Sequence, residues 1–241
     1  NKSAVKGLRN YSPISKVICE LKISSDGNSN TQYGIGFGCY IIANQHLFKR
    51  NNGTLQIKSA HGDFTVVNTT QLQVMPIENR DIIIIRMPKD FPPFPMKLNF
   101  REPTDKERVC LVGAEYTGKT IYTSVSESSF TYPEKDTHFW KYWVSTRHGQ
   151  CGLPVVSVND GSIVGVHSLC FLDKEENLYS SFPNNFDEII INMVDENWQK
   201  NWKFNIDNIA WGSMSILGSK PEGLFRTIKE FTIGKSPVEL Q

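Results

Sequence analysis

The sequence has few cysteines, and those present are not arranged for disulfides or metal. There are five, at positions 19, 39, 110, 151 and 170, with no CxxC pair and no histidine at zinc-site spacing. This pattern argues against a disulfide framework and a structural metal site, and no cofactor is expected. Scattered thiols favour a reducing compartment, in which one cysteine is a nucleophile and the others are small buried side chains.

Charge of one sign and long apolar runs are also lacking. The 241 residues include 26 basic and 25 acidic side chains, so no global field attracts nucleic acid or a membrane surface. No apolar run approaches the roughly 20 residues that cross a bilayer, and residues 1–5 lack the apolar core of a signal peptide. A soluble protein with no membrane partner is therefore expected.

What the sequence does have is a series of short apolar, β-branched runs between turn signals. The runs are Val17–Ile23, Tyr40–Ala43, Thr54–Lys58, Phe64–Val67, Ile82–Met87, Val109–Val112, Ile121–Val125, Tyr142–Thr146, Val155–Val158 and Ile163–Val166. Many short strands at close spacing predict an all-β sandwich or barrel fold. The length allows two barrels, and a polar, glycine-containing stretch predicts their connection near residues 113–120.

One short helix and a tail are expected late in the chain. Apolar residues recur at helical intervals from Asn185 to Lys203, which predicts a helix there. After Pro221 the pattern ends. The resulting division is an N-terminal barrel at 1–116, a C-terminal barrel at 117–221 and a tail at 222–241.

The segment Gly149–Gly152 is the most specific candidate for chemistry, because glycines flank Cys151 on a tight loop. In such a loop the amides of Gly149 and Cys151 can converge on an oxyanion, as acyl transfer requires. Taken alone, a cysteine in a glycine-rich turn is more often buried and inert. The assignment therefore depends on residues elsewhere in the sequence.

His46 and Asp81 provide that support. His46 follows the apolar run Ile41–Ala43, and a base at the end of a rigid strand suits general-base catalysis. Asp81 precedes four isoleucines and can accept the Nδ1–H of His46, although pairing with Arg80 is a simpler alternative. The order His46, Asp81, Cys151 is that of the double-barrel proteases, and a thiolate–imidazolium pair would lower the pKa of the cysteine.

A second histidine is predicted near the nucleophile. If Asp160-Gly161 is a two-residue hairpin turn, the register sets Pro154 opposite His167, which returns close to Cys151. With the hydroxyl of Thr146 on the other flank, His167 can form a neutral pocket for a substrate amide. A histidine that only fills a barrel edge is an equally good interpretation at this point.

Seven segments from end to end of the chain match the motifs of one family. They are Gly7–Ile14, Tyr33–Gly38, Asn44–Gly53, Arg80–Ile83, Lys89–Pro95, Gly149–Gly152 and Gly165–Ser168. In these segments the chain resembles the nuclear inclusion a proteases of potyviruses. The resemblance implies a chymotrypsin-like double antiparallel β-barrel and a cysteine endopeptidase that cuts a viral polyprotein after Gln. It also implies a location in the host cytoplasm and nucleus.

The resemblance further implies a triad of His46, Asp81 and Cys151 and a glutamine pocket that involves Thr146 and His167. The family usually has Asp three residues before the nucleophile, whereas this chain has a histidine, His148. This difference changes the charge of the pocket wall. We do not take His148 as the base, because it lies on the oxyanion loop and His46 comes with Asp81.

The segment Pro237–Gln241 looks like the product half of a cleavage site after Gln. An extended segment of this kind binds as an added strand, here beside Gly165–Cys170, which includes Ser168, and beside Trp211–Ser213. Val238 and Gln241 would face the barrel. Weak product inhibition by the chain's own tail is therefore expected, and a disordered end is the alternative.

A different class of function is an RNA-binding or host-interaction module that presents Arg9, Lys49 and Arg50 on a barrel surface. Family members are reported to bind RNA, so RNA is a possible second partner. The near-zero net charge and the lack of an aromatic and basic platform in the sequence argue against this as the main function.

Overall fold

The computed structural model describes residues 9–49, 52–172, 174–204, 209–217 and 237–241. The strands are β1 (Ile18–Ser25), β2 (Asn28–Phe37), β3 (Tyr40–Ala43), β4 (Thr54–Ser59), β5 (Gly62–Val66), β6 (Gln73–Pro76), β7 (Ile83–Arg86), β8 (Arg108–Thr117), β9 (Thr120–Val125), β10 (Ser129–Phe130), β11 (Tyr132–Pro133), β12 (Phe139–Tyr142), β13 (Pro154–Ser157), β14 (Ile163–Phe171), β15 (Asn177–Ser181), β16 (Gln199–Lys200), β17 (Ser215–Leu217) and β18 (Pro237–Leu240). The helices are α1 (Ser12–Ser15), α2 (Phe186–Ile191) and the 3-10 helices Gln45–Phe48, Thr69–Gln71, Asp195–Asn197 and Asn201–Lys203.

The first sheet contains eight strands in the order β16-β6-β7-β3-β2-β1-β4-β5, with antiparallel neighbours. In β4, buried Leu55 and Ile57 alternate with exposed Gln56 and Lys58. This is the period of a strand with one face on the core and one in water. The isoleucines of β7 are all buried between β3 and β6, which explains their continuous apolar run.

The second sheet follows the order β10-β8-β13-β14-β15-β12-β11, with β9, β17 and β18 attached to it. Eight of the nine residues of β14 are buried, because β13 and β15 flank it in the sheet. β18 pairs antiparallel with β14 and parallel with β17. The all-β prediction with two antiparallel sheets is confirmed.

The predicted connection near residues 113–120 is wrong. These residues lie in the β8–β9 hairpin, which turns at Gly118 with a φ of +60°. β7 is the last strand of the first sheet before the chain enters the second sheet at β8. The connection between the sheets therefore covers residues 87–107. There, Arg101 donates to the carboxylates of Glu107 and Asp160 and anchors the connection to the second sheet. The predicted domain boundary at 116/117 would divide this hairpin. Its polar sequence resembles that of a linker, which explains the error.

The predicted helix from Asn185 to Lys203 is much shorter than expected. Helix α2 covers only Phe186–Ile191, and the chain continues through a 3-10 turn into β16, which joins the first sheet. The indole of Trp198 stacks on Tyr40 at 5.6 Å between ring centroids. Trp198 thus fits the helical spacing because it packs on the first sheet, not because it lies on a helix face. Of the predicted tail, residues 222–236 lie outside the described residues.

The predicted β13–β14 hairpin is present, but its register differs by one residue. The connection covers residues 158–162 and is longer than two residues, and a bulge lies between Val155 and Val156. Pro154 therefore pairs with Val166 instead of His167. His167 still returns to the nucleophile loop, because its amide donates to Leu153 O at 3.0 Å.

Candidate active site

His46 and Asp81 meet in the first sheet, on the side that faces the second. His46 lies in the 3-10 helix that follows β3, and Asp81 lies two residues before β7, the strand that pairs with β3. The Nδ1 atom of His46 is 2.7 Å from Asp81 Oδ2, and its amide donates to Oδ1 at 3.2 Å. Both residues are buried. This geometry holds the ring with Nδ1–H on the carboxylate and leaves Nε2 available for a proton.

Residues of the second sheet hydrogen-bond to the backbone of Asp81 and to its neighbour Arg80. The amide of Asp81 donates to Ser180 Oγ at 3.0 Å, and the adjacent Arg80 donates to Ser181 O at 2.8 Å. Both serines lie on β15. The orienting carboxylate is therefore positioned by both sheets, and Arg80 bonds across the interface instead of neutralising Asp81.

Cys151 lies in a glycine loop that packs directly against β2. Its carbonyl accepts the amide of Tyr33 at 2.9 Å. Gly149 and Gly152 have φ values of +91° and +88°, and a Cβ on Gly152 would lie 1.8 Å from Tyr33 O. A side chain at Gly152 would therefore force the loop away from the first sheet, which carries the histidine.

The Cys151 thiol is fully buried, and it donates to Ser168 O at 3.2 Å. Burial, and secondarily the negative charge of Asp81, raise its pKa well above the ordinary value. The predicted lowering of this pKa is therefore wrong in this structure, because the desolvation outweighs the opposing hydrogen bond from Gln241. His46 Nε2 is buried without a hydrogen-bond partner among the described residues, and so remains free to accept a proton.

Residues 237–241 occupy the cleft as an extended strand. Leu240 pairs with Leu169, and the amide of Gln241 donates to Ser168 O at 3.1 Å. Gln241 O accepts the amide of Gly149 at 2.8 Å, which is the predicted oxyanion donor. The Cys151 amide makes no such bond within the described residues. Val238 is fully buried, as predicted for a residue that faces the barrel.

The side chain of Gln241 enters a polar pocket. Its Oε1 atom accepts from Thr146 Oγ1 at 2.7 Å and lies 2.5 Å from His167 Nε2. The opposite ring nitrogen of His167 is 2.5 Å from the Tyr142 hydroxyl. Because Oε1 only accepts, Nε2 carries the proton and Nδ1 accepts from Tyr142. Asn177 Oδ1 also lies 2.9 Å from Thr146 Oγ1, so Asn177 and Gln241 share the single hydroxyl proton as acceptors.

His167 is neutral in this pocket. Burial lowers its pKa from 6.5 to about 4, with the bond to Gln241 opposing the shift and the charge of His46 adding to it. Burial likewise raises the pKa of Tyr142 well above the ordinary range, so its hydroxyl keeps its proton. A pocket with neutral donors is suited to an amide oxygen, and Glu would bring an unpaired charge into it.

The other predicted substrate-binding residues differ in their contacts. Ser168 touches the segment through its carbonyl, and His148 Nε2 lies 3.6 Å from Glu239 Oε1. The predicted edge at Trp211–Ser213 is wrong, because the neighbouring strand is β17. Trp211 is buried and stacks on Phe139 at 5.4 Å, so it supports the core beneath the cleft.

Asn44 is a residue that the sequence patterns did not single out. It is fully buried, and its Nδ2 lies 3.3 Å from Asp81 Oδ2, 3.0 Å from Ser168 Oγ and 3.2 Å from His167 O. Its Oδ1 atom lacks a partner and faces Gly152. This one amide thus touches the carboxylate, the pocket strand and the nucleophile loop. In the sequence, only its position two residues before His46 indicated that Asn44 could belong to the site.

The profile of peptidase family C4 matches residues 1–232. The chain belongs to peptidase family C4. This confirms the resemblance to the potyviral nuclear inclusion a proteases and the class of viral cysteine endopeptidase. The genome polyprotein of tobacco vein mottling virus is 51% identical over 229 residues, which are 95% of this chain and 8% of that polyprotein. The chain thus spans between 7% and 15% of the length of curated polyproteins of this kind.

Solved structures of the C4 family agree with the fold. Tobacco vein mottling virus protease is 52% identical, with a TM-score of 0.84, over 88% of this chain and 97% of that one. A mutant of tobacco etch virus protease is 47% identical, with a TM-score of 0.85, over 97% and 98% of the two chains. Catalytically active tobacco etch virus protease complexed with product is 51% identical, with a TM-score of 0.79, over 86% and 90%. The chymotrypsin-like fold of the chain is therefore confirmed.

Two features are absent from the described residues. No helix there is long and apolar enough to cross a membrane. No group of three or more His, Cys, Asp or Glu in the same part of the chain could hold a metal ion.

Proposed function

We propose that this chain is a processing endopeptidase that cleaves a viral polyprotein on the carboxyl side of Gln. The observation that carries the proposal is the position of Gln241, with its side chain between Thr146 and His167 and its carbonyl on the Gly149 amide. This is the arrangement of an acyl group beside an oxyanion donor. A relative of the same family has been solved in complex with product, which is consistent with a peptide in this cleft.

The proposed chemistry uses Cys151 as nucleophile, His46 as general base and Asp81 as the residue that orients it. The Sγ atom attacks the carbonyl carbon after Gln binds, and the thiol proton moves to His46 Nε2. The negative oxygen is stabilised by the amides of Gly149 and Cys151. Collapse breaks the C–N bond, the departing amine takes the proton from His46, and water then hydrolyses the thioester by the same base.

A cleavage assay tests the proposed reaction. A peptide with the sequence of residues 235–241 followed by Ser is incubated with the protein and examined by mass spectrometry. We expect a cut after Gln, with the Met peptide slower by roughly 10⁴ because it offers no oxygen to His167 and Thr146. The Glu peptide should also be slow, because it brings an unpaired charge into a neutral pocket. Comparable rates for the Gln, Glu and Met peptides would contradict the pocket, and no cleavage of any peptide would contradict the proposed reaction.

We also propose that the chain's own residues 237–241 act as a competing product. They make the backbone and side-chain contacts that a bound product requires, and Gln241 fills the pocket that a substrate Gln would enter. A tethered segment competes at a high effective concentration even when its intrinsic affinity is low. When residues 237–241 occupy the cleft, a smaller fraction of the enzyme can bind substrate, and the catalytic steps themselves are unchanged.

RNA binding is a second candidate function, and one observation favours it. Arg108 lies 4.8 Å above the Phe130 ring, and Tyr132 meets Trp143 edge to face at 5.6 Å around a cavity of about 420 Å³. Sequence patterns do not indicate this aromatic and basic cluster, because its members come from separate segments of the chain. Bases stack on such surfaces, each with roughly 1–3 kcal/mol. Unchanged RNA affinity in a Phe130→Ala, Trp143→Ala double variant would contradict this role.

The proposed reaction suits the cytoplasm and nucleus of a host cell. The five cysteines are all free, including exposed Cys39. A reducing compartment keeps the thiol of Cys151 in its active form.

A further inference from the structure

A contact between a histidine and a carboxylate lies outside the glutamine pocket, between the bound segment and the loop before the nucleophile. His148 Nε2 is 3.6 Å from Glu239 Oε1, and the two side chains are 67% and 33% exposed. The proposed reaction uses neither of them. We propose that His148 is a specificity residue, which makes the enzyme prefer an acidic side chain two residues before the cleaved Gln. This inference rests on the proposed function and names a further feature of its substrate.

The backbone register makes the position of Glu239 a property of the cleft. Glu239 pairs with Cys170, Leu240 with Leu169, and the Gln241 amide donates to Ser168 O. Side chains alternate along a strand, so those of residues 239 and 241 lie on one face of it. Any substrate that places Gln in the pocket and follows this register brings the side chain two residues earlier to His148.

The loop that carries His148 is held in place on both sides. The amide of Arg147 donates to Gln150 Oε1 at 2.9 Å, and the amide of Gln150 donates to Arg147 O at 3.3 Å. The next amide, of Gly149, bonds to Gln241 O. The loop is therefore fixed by the same contact that positions the acyl group, and little backbone entropy is lost when His148 pairs with a substrate.

The groups that line the neighbouring cleft do not replace His148 in this contact. That cleft, beside Gln241, has a volume of about 450 Å³ and is lined by Glu127, Glu175 and Glu176 with one cation, Lys174, and it includes neither His148 nor Glu239. Within the described part of the chain, His148 is the one basic side chain within ion-pair distance of Glu239. A substitution at His148 therefore removes this contact.

A charge-reversal experiment tests the assignment. The peptide of residues 235–241 followed by Ser is compared with versions that carry Gln or Lys at the Glu239 position, and kcat/KM is measured for wild type, His148→Gln and His148→Asp. We expect wild type to prefer Glu over Gln by about two- to fivefold, the size typical of an exposed ion pair. The preference should disappear in His148→Gln and become a preference for Lys in His148→Asp.

The matched control is His61→Gln, which changes an exposed histidine in the β4–β5 turn of the other sheet. It should retain the wild-type order of the three peptides. Equal rates for the three peptides in wild type, with the requirement for Gln intact, would overturn the role of His148 alone. Absence of cleavage after Gln in every peptide would instead overturn the proposed function.

Discussion

At the scale of single residues, the site separates groups that keep their protons from one that is ready to accept a proton. Burial keeps Cys151 a thiol and His167 neutral, and His46 Nε2 has no hydrogen-bond partner among the residues that the structure describes. In this closed state the nucleophile is therefore a thiol that requires a base.

Replacement of the nucleophile tests this assignment most directly. We expect Cys151→Ala to reduce turnover by roughly four to six orders of magnitude, because only binding and oxyanion contributions remain. His46→Ala should lose nearly as much, since the thiol is then left without a base. Single-turnover kinetics on folded, purified protein provide the measurement. Near-normal turnover in either variant would eliminate the residue from its role.

The pocket histidine predicts a pH dependence of stability. His167 protonates near pH 6.5 when unfolded but only near pH 4 when folded, so the unfolded chain binds more protons between these values. Its contribution is fully present above pH 6.5 and is lost as the pH falls toward 4, by roughly 3 kcal/mol at about 1.4 kcal/mol per unit. Urea unfolding of wild type and His167→Phe should show a steeper acid loss in wild type. Parallel curves would contradict a buried, neutral His167.

At the scale of elements, β18 completes the second sheet between β14 and β17. Its backbone bonds resemble those of any internal strand, so an extended substrate can replace it by strand addition. Side chains then select among the peptides that fit. Val238 is buried and Gln241 is bonded in its pocket, whereas Glu239 reaches the exposed loop.

Removal of this strand tests whether it competes with substrate. A chain that ends at Ser236 should have a lower apparent KM for a short Gln peptide than the full chain, with a similar kcat, because the cleft is open more of the time. Initial rates over a range of protein concentrations separate competition within a molecule from competition between molecules. Identical kinetics for the two chains at every concentration would exclude occupancy.

Elements were predictable where one local pattern decides the structure. β4 shows this in its alternation, and the β4–β5 turn in Gly62 with its φ of +98°. Predictions from the sequence were wrong where two different structures produce the same sequence pattern. A polar stretch can be a linker or the exposed hairpin β8–β9, and spaced aromatics can be a helix face or, as with Trp198, contacts to another sheet. Burial distinguishes these cases, and burial depends on the whole fold.

At the scale of the whole molecule, the candidate site exists only where the two sheets meet. The first sheet supplies His46 and Asp81, and the second supplies Cys151 and the pocket. The polar contacts of Asn44 cross this junction and reach Asp81 in one sheet and β14 in the other. Relative movement of the sheets would therefore separate the base from the nucleophile, and a displacement of about 1 Å can cost a hundredfold in rate.

Loss of the Asn44 amide should show this coupling. We expect Asn44→Leu to lower kcat about ten- to a hundredfold while KM for a Gln peptide changes less than about threefold, since the pocket itself stays intact. Asn201→Leu is the matched control, because it removes a fully buried amide that donates to Thr69 O at 3.0 Å. Both variants should lose stability in thermal unfolding. An equal fall in kcat in both would show that Asn44 has only a structural role.

The sequence by itself determined the all-β class, the order of the three candidate catalytic residues and the glycine loop around Cys151. These follow from local rules, since strand period, turn glycines and chain order depend on neighbours along the chain. Tertiary structure alone decided the one-residue shift at His167, the junction at Asn44 and the pairing of His148 with Glu239. Each of these joins residues distant in sequence, and their contacts depend on how bulges and sheet packing place separate strands side by side.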